Sequence, residues 1–184
     1  MRVFIALPVP DEVKKIISQI KTELKTTAKI KWVEAENCHI TLKFLGEVNP
    51  NQVKNISAVL KNIFAQGSAY ELSMHGVGFF PNRTRPRVMW AGVKDQTGNL
   101  DIHIKLVNEA LYPLGFQKES NSIHHLTMGR IRSPITESDF FSRVDEVNKT
   151  MHELIFPVQQ YFLLESQLSS YGPKYYVLEK YELT

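Results

Sequence analysis

The order in which strands and helices alternate constrains this chain's fold more than any other feature of its sequence. Residues 2–9, 29–34, 39–48, 70–80, 87–93, 123–131, 153–168 and 174–183 read as strands from their apolar alternation and β-branched or aromatic content. Helical spacing of apolar residues marks 11–27, a segment opening at Asn49-Pro50, 98–112, and a stretch around 137–148. The second helix carries Val53, Ile56, Val59, Leu60 and Ile63 on one stripe, behind an Asn49 cap and Pro50 at its first position. Several strands follow one another with no helix between, so they pair antiparallel. The expected class is α+β and not a doubly wound parallel sheet. No Ser/Gly-rich run or compositional break divides the chain, which reads as one domain over 1–184.

Within this pattern a second regularity carries chemistry. "HITLKFLGEV" (39–48) and "HHLTMGRI" (124–131) each place a histidine and a threonine two residues apart in an otherwise apolar strand. Residues i and i+2 of a strand share a face about 7 Å apart. His39 with Thr41, and His125 with Thr127, therefore each present an imidazole and a hydroxyl together. The pairs lie 86 residues apart, near half the chain, and a helix follows each. Brought together in one groove, they suit phosphoryl chemistry. One imidazole takes a proton from the nucleophile, the other gives one to the leaving oxygen, and the hydroxyls donate to the non-bridging oxygens.

The remaining histidines, His75, His103 and His152, sit in unremarkable contexts, and alternation turns His124 away from His125. A metal site built from Cys38, His39, His124 and His125 is the competing chemical reading. It is disfavoured because adjacent strand residues diverge to opposite faces and no carboxylate stands at ligand spacing. A serine nucleophile has no supporting elbow motif. The loop "PNRTRPR" (81–87) is read either as solvated or as a phosphate-backbone contact through Arg83, Arg85 and Arg87.

Charge and cysteine content set the outer limits. A net charge of +3, from 22 Lys+Arg and 19 Asp+Glu, allows an anionic ligand but lacks the strong bias of a general nucleic-acid binder. The single cysteine, Cys38, cannot form an intramolecular disulfide, which points to a reducing cytoplasm. No apolar run approaches the roughly 20 residues of a membrane span, and "MRVFIALPVP" does not read as a signal peptide. A monomer is the expectation.

Taken in order, "MRVFIALPVP", "HITLKFLGEV", "GVGFFPNRTRPRVMWAGV", "HHLTMGR" and "LLESQLSSYGPKYYVLEKYEL" resemble the 2H phosphoesterases nearly end to end. Within that superfamily the resemblance is to the bacterial and archaeal RNA 2′,3′-cyclic phosphodiesterases, first described as 2′–5′ RNA ligases. It implies a bilobal α+β fold, with two pseudo-symmetric antiparallel sheets and outer helices around a central cleft. It also implies phosphodiester hydrolysis with no metal and no nucleotide cofactor. The substrates would be RNA ends or small cyclic nucleotides bearing a 2′,3′-cyclic phosphate, the product a 2′-phosphate, and reversal a weak 2′–5′ ligation.

By the same resemblance His39 is the proton donor to the leaving oxygen and His125 the base on water. Thr41, Thr127 and Arg130 bind phosphate, and Phe44 stacks on a nucleobase. An RNA-end or nucleotide binding module without turnover is the alternative of another class. Two departures stand out. His124 occupies a position that is usually proline in the family, and strict alternation places Phe44 and Arg130 on the faces opposite His39 and His125. Either the strands bulge after each threonine, or these two residues are structural.

Overall fold

The computed structural model describes residues 1–119, 123–133, 138–170 and 172–184. Its elements are β1 (Arg2–Pro8), α1 (Asp11–Leu24), β2 (Ile30–Trp32), β3 (His39–Glu47), α2 (Pro50–Phe64), β4 (Tyr70–Phe80), β5 (Val88–Lys94), α3 (Asn99–Leu111), β6 (His125–Ile131), α4 (Ser138–Thr150), β7 (Leu154–Val158), β8 (Gln160–Ser169) and β9 (Gly172–Glu182). The expected start of the fourth helix at 137 and the middle of the "SSYGP" turn, Tyr171, lie outside the described residues. α2 begins as its sequence dictates. The Asn49 side chain accepts the Gln52 N–H, the Gln52 side chain accepts the Asn49 N–H, and Pro50 fills the first position.

All strand pairs are antiparallel. The order β9-β8-β1-β3 makes one lobe and β7-β4-β5-β6 the other, with β2 added along the far end of β6. The α+β, two-lobed architecture is the expected one, and the two sheets are fused at their inner strands. The bridge between β3 and β6 is the pair Ile40↔Leu126. These two residues are themselves 86 apart, so a pseudo-twofold axis passes between them. The same offset relates β1 to β5, whose ranges Arg2–Pro8 and Val88–Lys94 differ by 86 at both ends.

The lobes are interleaved in sequence, since β4 follows α2 but pairs with β5, and β8 follows β7 but pairs with β1. The expected single strand over 153–168 is therefore two strands. β7 pairs with β4 in one lobe, while β8 lies between β1 and β9 in the other. The break falls at Gln159, whose carbonyl accepts the Leu183 N–H at 2.8 Å. Apolar content continues across it, and the division is one of strand partners. Pro157 is tolerated in β7 because β7 is an edge strand.

The apolar stripes of the helices close over one face of this sheet. Val13, Ile17, Ile20 and Leu24 of α1, Ile56, Leu60 and Phe64 of α2, Leu100, Val107 and Leu111 of α3, and Phe140 and Val144 of α4 join Ile5, Leu7, Ile40, Leu42, Met89 and Met128 in one core. Each fully buried Leu or Ile stabilises this arrangement by about 1.5–3 kcal/mol. The opposite sheet face is left for a site. Among the described residues, no helix is long and apolar enough to cross a membrane.

Candidate active site

Antiparallel register about Ile40 and Leu126 fixes the centre of the site. Counted from that bridge, position 39 lies level with 127 and position 41 with 125, which brings both His–Thr pairs to the middle of the joined sheet. Burial alternates accordingly. Ile40, Leu42, Leu126 and Met128 are buried in the core, whereas His39, Thr41, His125 and Thr127 are only partly covered on the other face.

Phe44 and Arg130 share that face because both strands bulge. In β3, Thr41 pairs with Ala6 and Lys43 with Ile5, so the register against β1 steps over Leu42. In β6, Thr127 pairs with Trp90 and Gly129 with Met89, so the register against β5 steps over Met128. Each extra residue puts two consecutive side-chain positions on the core side (Leu42 and Lys43; Met128 and Gly129) and returns the next residue to the site face. Strict alternation, which would have turned Phe44 and Arg130 away, is thereby corrected. Phe44 is 65% exposed and lies against Phe4 with ring centroids 5.8 Å apart.

A cavity of about 740 Å³ opens here, lined among others by His39, Thr41, Phe44, Thr127 and Arg130. His125 is not among its lining side chains and packs instead on Phe80 (centroids 4.8 Å, edge-on) and Trp90 (6.2 Å). His39 is held between Phe4 (5.0 Å) and Tyr175 of β9 (5.2 Å, edge-on). Both imidazoles are oriented by the same device. Nδ1 of His39 lies 2.7 Å from the Asn37 carbonyl, and Nδ1 of His125 lies 3.1 Å from the Ile123 carbonyl. A carbonyl can only accept, so each Nδ1 carries the donated hydrogen and each Nε2 is left to exchange protons. Nε2 of His39 lies 3.1 Å from Thr41 Oγ1.

Burial lowers the His39 pKa from its ordinary value, the Asn37 carbonyl opposes that shift, and the field of His125 adds to it. Burial also raises the pKa of the Tyr175 phenol, with Arg130 acting against it.

Sequence reasoning missed the aromatic supports. Phe4, Phe80, Trp90 and Tyr175 lie far in sequence from the histidines they hold, so only the strand pairing discloses them. Trp90 owes its position to Gly78, where any Cβ would run into the indole. The other candidates scatter. Cys38 points into the core with Sγ 3.6 Å from the Glu34 carbonyl, where burial raises its pKa. His124 turns outward to Asp101 (2.8 Å). The residues of the alternative metal reading therefore do not converge, and among the described residues no cluster of three His, Cys, Asp or Glu side chains forms that could hold a metal. His103 is buried, with Nδ1 2.7 Å from the Tyr161 hydroxyl. Arg83 of the 81–87 loop is bound to α4 through both Asp145 oxygens (2.8 and 2.9 Å) and lies over the Phe141 ring.

Comparison with known proteins shows the family to which the chain belongs. Residues 7–90 match the family model described as LigT like Phosphoesterase. An RNA 2′,3′-cyclic phosphodiesterase of Archaeoglobus fulgidus is 36% identical over 184 residues, which cover 99% of this chain and 100% of that protein. An enzyme of the same name from Methanothermobacter thermautotrophicus is 30% identical, covering 100% and 99%. The crystal structure of TT0787 of Thermus thermophilus superposes with a TM-score of 0.83 at 25% identity, covering 100% of this chain and 98% of that one. The chain belongs to the LigT-like phosphoesterase family, whose members include the RNA 2′,3′-cyclic phosphodiesterases.

Proposed function

We infer that this protein is an RNA 2′,3′-cyclic phosphodiesterase, opening the terminal cyclic phosphate of RNA to a 2′-phosphate. The observation that carries the reading is the register at Ile40 and Leu126, which brings the His–Thr pair of each lobe to the middle of the joined sheet. The interleaved strands support treating residues 1–184 as one bilobal domain whose cleft is this site.

In-line displacement at phosphorus needs a base on the attacking water and an acid on the leaving oxygen, on opposite sides of the phosphorus. One histidine from each lobe meets that need. Following the family resemblance, His39 protonates O3′ through Nε2 and His125 takes the proton of water through Nε2. Thr41 and Thr127 donate to the non-bridging oxygens as charge builds there, with Arg130 balancing it from the end of β6. Burial favours neutral His39 in the free protein. The anionic phosphate that enters beside it restores the protonated form, so the donor is charged when substrate arrives.

Phe44, exposed at the cleft, offers a face to the terminal base. Protons are handled by imidazoles and phosphate by hydroxyls and guanidinium, so the reaction proceeds without a metal. With an RNA 5′-hydroxyl in place of water as nucleophile, the same groups form the P–O5′ bond as P–O3′ breaks and O3′ takes up the proton, which gives a weak 2′–5′ ligase activity. The lone buried Cys38 suits a reducing, cytoplasmic setting and a monomer needs nothing further. The test is turnover of a 2′,3′-cyclic nucleotide in excess chelator, with His39→Ala as control. Activity lost on chelation and restored by a divalent ion would overturn the metal-free mechanism, and binding without turnover would leave a recognition module.

A further inference from the structure

Around Arg130, the far end of β6 carries three further cations, Lys29, Lys31 and Arg132, that the hydrolytic step does not use. Lys31 of β2 pairs directly with Arg130 of β6, and the Arg132 N–H donates to the Lys29 carbonyl at 2.8 Å, which sets a second cation pair beside the first. Like charges placed opposite each other across an antiparallel pair are destabilising. Here two such pairs stand in succession, and among the described residues none of the four side chains forms an ion pair. All four are exposed. Arg83, by contrast, is neutralised by Asp145. Lys31, Arg130 and Arg132 line the cavity that holds His39 and Thr127. Along β6 the site face therefore reads Thr127, Arg130, Arg132, a line of anion-binding groups leading out of the catalytic centre. Arg130 and Arg132 are about 7 Å apart along the strand, a step comparable to that between successive phosphates of an extended single strand.

We propose that Lys29, Lys31 and Arg132 form a phosphate track for the RNA immediately 5′ of the terminal nucleotide, so that the preferred substrate is an oligoribonucleotide end and not a cyclic mononucleotide. An approaching polyanion turns the repulsion of the paired cations into attraction, which is why the strands tolerate them. The track selects for length and strand charge. Backbone contacts of this kind carry no base information. The inference rests on the phosphodiesterase reading above.

The experiment compares kcat/KM for a tetraribonucleotide ending in a 2′,3′-cyclic phosphate with that for the cyclic mononucleotide, across a salt series. The tetranucleotide should be favoured by roughly tenfold or more at low salt, and its log–log salt slope should be steeper by about 0.7 for each phosphate held. The double variant Lys31→Gln/Arg132→Gln should lower both the preference and the extra slope, and Lys31→Arg/Arg132→Lys should restore them. Equal kcat/KM and equal slopes for the two substrates in the unaltered protein would overturn the track, as would full preference in the neutralised variant. Turnover of neither substrate would defeat the phosphodiesterase reading, and the track with it.

Discussion

Leu42 and Met128 occupy the same place in the two lobes, each the extra residue of a bulge that follows the site threonine. They are held differently. In β3 the next residue, Lys43, is 3% exposed, and its ammonium donates to Asn108 Oδ1 at 2.9 Å and to the Gln117 carbonyl. Burial lowers the Lys43 pKa, with Glu119 at 3.8 Å opposing the shift. In β6 the equivalent residue is Gly129, where a Cβ would sit 2.6 Å from Ile30 Cγ2 and 3.1 Å from the Lys31 carbonyl oxygen. The glycine lets β2 lie close, and β2 in turn fixes the end of β6 that carries Arg130.

Gly129→Ala should therefore destabilise the protein by about 1–3 kcal/mol, the usual cost of overpacking, and should raise KM through displacement of Arg130. Urea unfolding and steady-state kinetics measure the two effects separately. Unaltered stability would mean that β2 does not pack as closely as Ile30 and Lys31 indicate.

The pH dependence of stability follows from buried imidazoles. His39, His75 and His103 all have pKa values lowered from 6.5, in each case first by burial. The folded state therefore binds fewer protons than the unfolded chain. Stability is fully present above about pH 6.5 and is lost as the pH falls through the lowered folded values. Thermal midpoints measured at pH 7.5 and pH 5 should show that fall, and His103→Gln should reduce it.

Arg83→Ala should leave turnover of a cyclic mononucleotide within a few-fold, since the guanidinium is occupied by Asp145 and Phe141 on the helix side. Arg130→Ala should lower kcat/KM by roughly 10²–10³, as for loss of one donor to developing charge. A large loss at Arg83 would reopen the reading of the 81–87 loop as a phosphate contact.

Much of this was legible in the sequence because it is periodic. The His-x-Thr pairs, the helical stripes and the Asn49 cap are local patterns, and the 86-residue offset already suggested two matched halves. The bulges were open on sequence grounds, because whether the register steps over Leu42 and Met128 depends on β1 and β5. The division of 153–168 was hidden for a related reason, since apolar residues continue across Gln159 and only the change of partner strand separates β7 from β8. Tyr175 illustrates the same limit. Its place beside His39 is a consequence of β9 closing the lobe, 136 residues along the chain from the residue it supports.

The most direct test of the two-histidine account is single-turnover hydrolysis of RNA ending in a 2′,3′-cyclic phosphate, by the unaltered protein and by His39→Ala and His125→Ala. Products are identified as 2′- or 3′-phosphate, and folding is checked by circular dichroism. The account predicts a 2′-phosphate product and a loss of roughly 10²–10⁴ in rate for each variant, the usual worth of one acid or base. His152→Ala should show no such loss. Folded variants that keep the full rate, or a 3′-phosphate product, would contradict it.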